Sequence, residues 1–96
     1  MDNKKTIILD LTNCKYLGEL HERIRVAFDF PKWYGANWDA FWDLLRSECD
    51  AEKLEIKGID TLPKEFDGQI ETMKYMLEKF KNNCQKYNEI FEYTIL

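Results

Sequence analysis

Apolar and polar positions alternate in three short stretches of this chain, and between them apolar residues recur at helical spacing. Thr6–Leu11 places Ile7, Leu9 and Leu11 on one face. Lys53–Ile59 sets Leu54 and Ile56 opposite Glu55 and Lys57, and Glu89–Leu96 puts Phe91, Tyr93 and Ile95 on one side. Alternation of this kind predicts three strands, in a sheet with one covered face rather than one buried on both sides.

Two helices are predicted between the first two strands. Leu17, Leu20, Ile24, Ala27 and Phe28 mark the first. Pro31 bars its continuation, because the residue before proline is pushed out of the helical region. The second opens after Gly35 with Asn37 as N-cap, and Asp39 falls in its first turn, where a carboxylate suits the positive end of the helix dipole. Leu62–Phe66 reads as a short helix or turn. A longer helix from Gly68 carries Ile70, Met73, Met76, Leu77 and Phe80 on one face and is expected to stop near Asn82-Asn83.

The helical crossovers are long enough for parallel strands, and such crossovers are right-handed in nearly all cases. The expected fold is therefore an α/β two-layer sandwich. It has a three-stranded parallel sheet in the order 1-2-3, with the second strand central and the helices packed on one face. Residues 1–96 are expected to form a single domain, since the sequence has no linker, repeat or low-complexity tract.

Charge narrows the function. Acidic residues number 18 against 14 basic ones, for a net charge of −4. A nucleic-acid binder needs a basic face, whereas an acidic protein attracts a basic partner. Cys14, Cys49 and Cys84 are too few and too scattered for a disulfide framework or a zinc site and read as small hydrophobes. Met1-Asp2-Asn3-Lys4-Lys5 leads only into Ile7-Ile8-Leu9, a run too short for a signal peptide or a membrane span. The expectation is a reduced, cytoplasmic protein with no membrane contact.

The segment Pro31–Leu45 holds all three tryptophans, Trp33, Trp38 and Trp42, with Asp39 and Asp43 among them. On a helical projection Trp38, Phe41, Leu44, Leu45 and Cys49 share an apolar arc. Asp39, Asp43 and Arg46 fall on the polar side, and Trp42 sits at the border. Two carboxylates at this spacing destabilise an isolated helix by roughly 0.2–0.5 kcal/mol, although Arg46 can offset Asp43. Exposed aromatics beside a carboxylate pair suit an interface better than they suit solubility.

Catalysis has weaker support. His21 is the only histidine and reads as a half-buried structural residue at the margin of the first helix's apolar face. No nucleophile elbow or glycine-rich phosphate loop is present in the sequence. Asp39 and Asp43, one helical turn apart, are poorly placed to flank a scissile bond and make a weak metal site. The expectation is no enzyme, no cofactor and no metal.

The run Trp33-Tyr34-Gly35-x-Asn37-Trp38-Asp39-Ala40-Phe41-Trp42-Asp43 closely resembles the core of the barstar family, intracellular inhibitors of barnase-type ribonucleases. Leu20-His21 and Phe30-Pro31 upstream fit the family, as does the order of elements. The resemblance implies that the second helix and the loop before it enter the active site of a basic ribonuclease. At the position of Asp43 the family carries the central anchor, a carboxylate standing in for the substrate phosphate before arginine, lysine and histidine. The residue matching Trp33 stacks on the catalytic histidine. Gly35, Asn37, Trp38, Asp39 and Trp42 match contact positions, and a carboxylate can meet arginine's fork of donors as a phosphate does.

Three departures accompany the resemblance. Trp33 stands where the family has tyrosine, and Ser47-Glu48 replaces a Gly-Trp pair. Lys79, with Glu78 beside it, takes the place of a glutamate on the last helix. The implied function is inhibition of a barnase-like ribonuclease by a protein that is monomeric when free. The alternative is an immunity or protein-binding module of the same fold, directed at another toxin or a regulatory partner.

Overall fold

A computed structural model describes residues 5–96. Residues 1–4, which precede the short apolar run Ile7-Ile8-Leu9, lie outside the described residues. The elements are β1 (Thr6–Asp10), α1 (Leu17–Phe28), α2 (Trp38–Glu48), β2 (Lys53–Lys57), α3 (Asp67–Lys86) and β3 (Glu92–Ile95). Two turns of 3-10 helix, Ile59–Thr61 and Lys64–Phe66, fill the predicted short helix or turn before α3.

The strands form one parallel sheet in the order β1-β2-β3. Ile7 pairs with Leu54 and Leu9 with Ile56, while Leu54 and Ile56 pair in turn with Tyr93 and Ile95. That register puts Ile7, Leu9, Leu54 and Ile56 on the same face, and all four are buried. The opposite face carries Thr6, Ile8, Asp10, Lys53 and Lys57, all exposed. The one covered face is thus the face against which the helices pack, as the alternation predicts. Leu20, Ile24 and Phe28 of α1 complete the core with Phe41, Leu44 and Leu45 of α2 and Met73, Leu77 and Phe80 of α3.

Strand and helix ends differ from the sequence expectation by more than one residue in three places. β2 stops at Lys57, because Gly58 takes a φ of 88° and turns Ile59 into the 3-10 segment. A side chain at Gly58 would collide with the backbone of Thr12, so glycine is required there on both counts. α3 runs past Asn82-Asn83 to Lys86, because Cys84 continues the buried stripe of Ile70, Met73, Leu77 and Phe80 by one more turn. The chain then closes the helix with Asn88 at φ 58° and with the Glu89 N–H donating to the Cys84 carbonyl at 2.8 Å. Those bonds delay β3 to Glu92, although Phe91 just before it is buried as its alternation predicts.

Candidate functional site

The loop between α1 and α2 is built from its aromatic residues. Asp29 ends α1 in the left-handed conformation, and the Phe30 N–H donates to the Arg25 carbonyl at 2.9 Å. Phe30 is buried, stacked on Phe28 at 5.2 Å between ring centroids and tilted against Tyr34 at 5.5 Å. Pro31 leads into a turn closed by the Tyr34 N–H donating to the Pro31 carbonyl at 3.0 Å. Trp33 lies inside that turn, and the anchors on either side leave its side chain outside: it is 74% exposed.

Tyr34 is tied to α1. Its hydroxyl is 2.7 Å from Nδ1 of His21. His21 is fully buried rather than half-buried, because Trp38 covers its ring at 4.6 Å and Tyr34 flanks it at 5.7 Å. Burial pushes the histidine pKa down and the tyrosine pKa up. Both groups are therefore neutral near pH 7, and the bond joins two uncharged side chains.

Helix α2 starts as its sequence predicts. Asn37 Oδ1 accepts from the Ala40 N–H at 2.7 Å, and its Nδ2 donates to the Gly35 carbonyl at 3.2 Å. A Cβ on Gly35 would stand 3.3 Å from both Ala40 Cβ and Asn37 Nδ2, so the absence of a side chain lets the loop close onto the helix start. Gly35 and Asn37 are exposed and hold the geometry of the loop–helix junction.

Beyond that junction the helix divides as the projection predicts. Phe41, Leu44 and Leu45 are buried, whereas Asp39 and Asp43 are exposed. The Asp43 side chain is 71% exposed, and its carboxylate accepts from Arg46 Nη2 at 3.1 Å. An ion pair this open to water is worth at most ~1 kcal/mol. The Asp43 carboxylate is therefore available to any partner offering a better cation.

The two helix tryptophans differ. Trp38 turns inward: its Nε1 donates to Gln69 Oε1 of α3 at 2.7 Å, and its ring meets Phe41 edge-on at 5.4 Å. Trp42 stays half-buried at the α2–α3 border, with Lys79 Nζ at 4.7 Å and the Arg46 guanidinium at 5.4 Å from its ring centre. The structure therefore sets Trp33, Gly35, Asn37, Asp39 and Asp43 on the exposed surface of the loop and α2, with Trp42 at its border. Trp38 is half-buried beneath them, against His21, Phe41 and Gln69. Gln69 and Lys79 complete the surroundings; both lie on the third helix, far along the chain from α2.

A family model described as Barstar (barnase inhibitor) matches residues 4–95. The chain belongs to the barstar family. It is also 37% identical over 46 residues to a Bacillus subtilis (strain 168) protein named "Putative ribonuclease inhibitor YrdF". That match takes in 48% of this chain and 50% of the relative, so the chain spans about half the length of the curated relative it matches.

Other sequence candidates have ordinary places. Cys14 and Cys84 are buried and Cys49 is partly so, and burial raises the pKa of each thiol. Among the described residues no group of three or more His, Cys, Asp or Glu side chains could hold a metal ion. No helix of the described residues is long and apolar enough to cross a membrane.

Proposed function

We propose that this barstar-family protein inhibits a barnase-type ribonuclease by seating α2 and the loop before it in the enzyme's active site. Asp43 is the phosphate mimic in this reading, and Asp39 is a second charged contact. Trp33 stacks on the enzyme, and Trp42 provides an aromatic contact at the border. Gly35 and Asn37 present the loop, and Trp38 supports it from below. The protein itself catalyses nothing, requires no cofactor, acts in the cytoplasm and is monomeric until it meets the enzyme.

One observation carries the reading. Asp43 projects from α2, and among the described residues its carboxylate is held only by the exposed Arg46. Exchanging that weak pair for the desolvated cations of a nuclease cleft is favourable, because charge-assisted bonds strengthen once water is excluded. The net charge of −4 also draws a basic enzyme in.

Calorimetric titration against a barnase-type ribonuclease at two salt concentrations tests this. Tight one-to-one binding that weakens as salt rises is expected. Absence of binding at low salt would reject the reading. The same-fold alternative, a module for a different toxin or regulatory protein, draws support from Lys79, whose ammonium lies over Trp42 where a glutamate would suit a wholly basic enzyme.

A further inference from the structure

We propose that the cleft between α2 and α3 receives a carboxylate from the rim of the inhibited nuclease, so that the interface is bipolar rather than uniformly acidic on the inhibitor's side. The inference rests on the inhibitor reading above. The cleft, of about 300 Å³, is lined by Trp42, Arg46, Lys79, Asn82, Asn83 and Lys86. Three of these carry positive charge, two are carboxamides, and none is a carboxylate.

No ion pair among the described residues neutralises the lysines. Glu78, the neighbour of Lys79, is engaged elsewhere, accepting from the Tyr93 hydroxyl at 2.7 Å. Among the described residues neither Lys79 nor Lys86 forms an ion pair. Lys79 instead rests its ammonium against the Trp42 ring, a contact that holds the charge in place without cancelling it.

The cleft adjoins the acidic edge directly. Arg46 lines it and also pairs with Asp43 at 3.1 Å, and Trp42 belongs to both surfaces. A partner covering Asp43 and Trp42 covers the cleft as well. If that partner were cationic throughout, three like charges would be pressed against it, and such juxtapositions are strongly unfavourable. A carboxylate on the partner reverses the sign. It also supplies Arg46 with a new partner when Asp43 turns to the enzyme's cations, so every charge freed by docking is matched again.

The test is a charge-reversal cycle. A barnase-type ribonuclease is prepared together with variants in which single basic residues at the rim of its cleft are changed to glutamate. Each is titrated with the wild-type chain, Lys79→Glu and Asp43→Ala. Lys79 is exposed, and a thermal melt of Lys79→Glu establishes that the variant is folded. The wild-type chain is expected to bind at least one acidic-rim variant tenfold or more tightly than the parent enzyme, and Lys79→Glu is expected to reverse that order. If affinities ignore the rim charge and Lys79→Glu alike while Asp43→Ala still weakens binding, the cleft proposal is wrong and the inhibitor reading stands. If no enzyme form binds the wild-type chain, both are wrong.

Discussion

Nδ1 of His21 and the hydroxyl of Tyr34 lie 2.7 Å apart in the interior, and this bond joins α1 to the loop that presents Trp33. It makes the protein's stability sensitive to mild acid. Burial holds the His21 pKa below its ordinary 6.5. As pH falls through that value the unfolded chain binds a proton that the folded chain refuses, so acid favours unfolding. The stability is whole above neutral pH and declines below about 6.5, by up to ~1.4 kcal/mol per pH unit. Urea denaturation at pH 7.5 and 5.5 is expected to show a loss of stability in the wild type that is absent in His21→Gln. Equal losses in the two proteins would exclude His21 as the cause. Tyr34→Phe, which strips the buried ring nitrogen of its partner, is expected to cost ~1–2 kcal/mol at neutral pH.

Much of the fold and of the exposed edge of α2 is legible in local pattern. Pro31 and Asn37 bracket the loop, and the apolar spacing of Phe41, Leu44 and Leu45 shows which side of α2 is buried, hence that Asp39 and Asp43 face water. What the pattern could not show were partners contributed by distant elements. Trp38 falls on the apolar arc, yet the bond that fixes its indole comes from Gln69, 31 residues away. The resemblance marks Lys79 as a departure on α3, but nothing in the local pattern shows that packing brings its ammonium over Trp42. The late start of β3 escaped for a related reason: Glu89–Phe91 alternates like a strand, but the Glu89 N–H is consumed in closing α3.

Trp38 and Trp33 are expected to separate stability from recognition. Gln69→Leu leaves the Trp38 N–H without its acceptor in a half-buried setting, at a cost of ~0.5–1.5 kcal/mol in folding. Affinity for a nuclease should be nearly unchanged, because in the proposed reading Trp38 supports the loop from below. Chemical denaturation and titration of the same preparation check this. A large affinity loss at unchanged stability would mean that Trp38 touches the partner directly.

Trp33→Ala should behave in the opposite way. The side chain is 74% exposed, so its removal should alter folding stability by no more than ~0.5 kcal/mol. An indole stacked on an enzyme residue belongs to the class of interface anchors that cost more than ~1 kcal/mol when truncated. Trp33→Tyr, which restores the residue usual in the family, should recover most of that affinity. Undiminished binding by Trp33→Ala would remove the loop from the interface.

Asp43 and Asp39 should be unequal. Asp43→Ala removes an exposed ion pair with Arg46, worth at most ~1 kcal/mol, and relieves repulsion by Asp39 of roughly 0.2–0.5 kcal/mol. Its folding stability is therefore expected to stay close to wild type. Binding should fall by ~2–5 kcal/mol, the cost of leaving a nuclease's buried cations without their counter-charge. Asp43→Asn keeps the shape and discards the charge, so it should lose nearly as much if the carboxylate imitates phosphate. Asp39→Ala, nearer the helix start and without the anchor position, should lose less. The checks are titration calorimetry of the three variants and a dissociation rate for Asp43→Asn, since loss of a desolvated pair accelerates release more than it slows capture. An Asp43→Asn that inhibits as well as wild type would show that shape, not charge, holds the enzyme, and the phosphate-mimic mechanism would have to be abandoned.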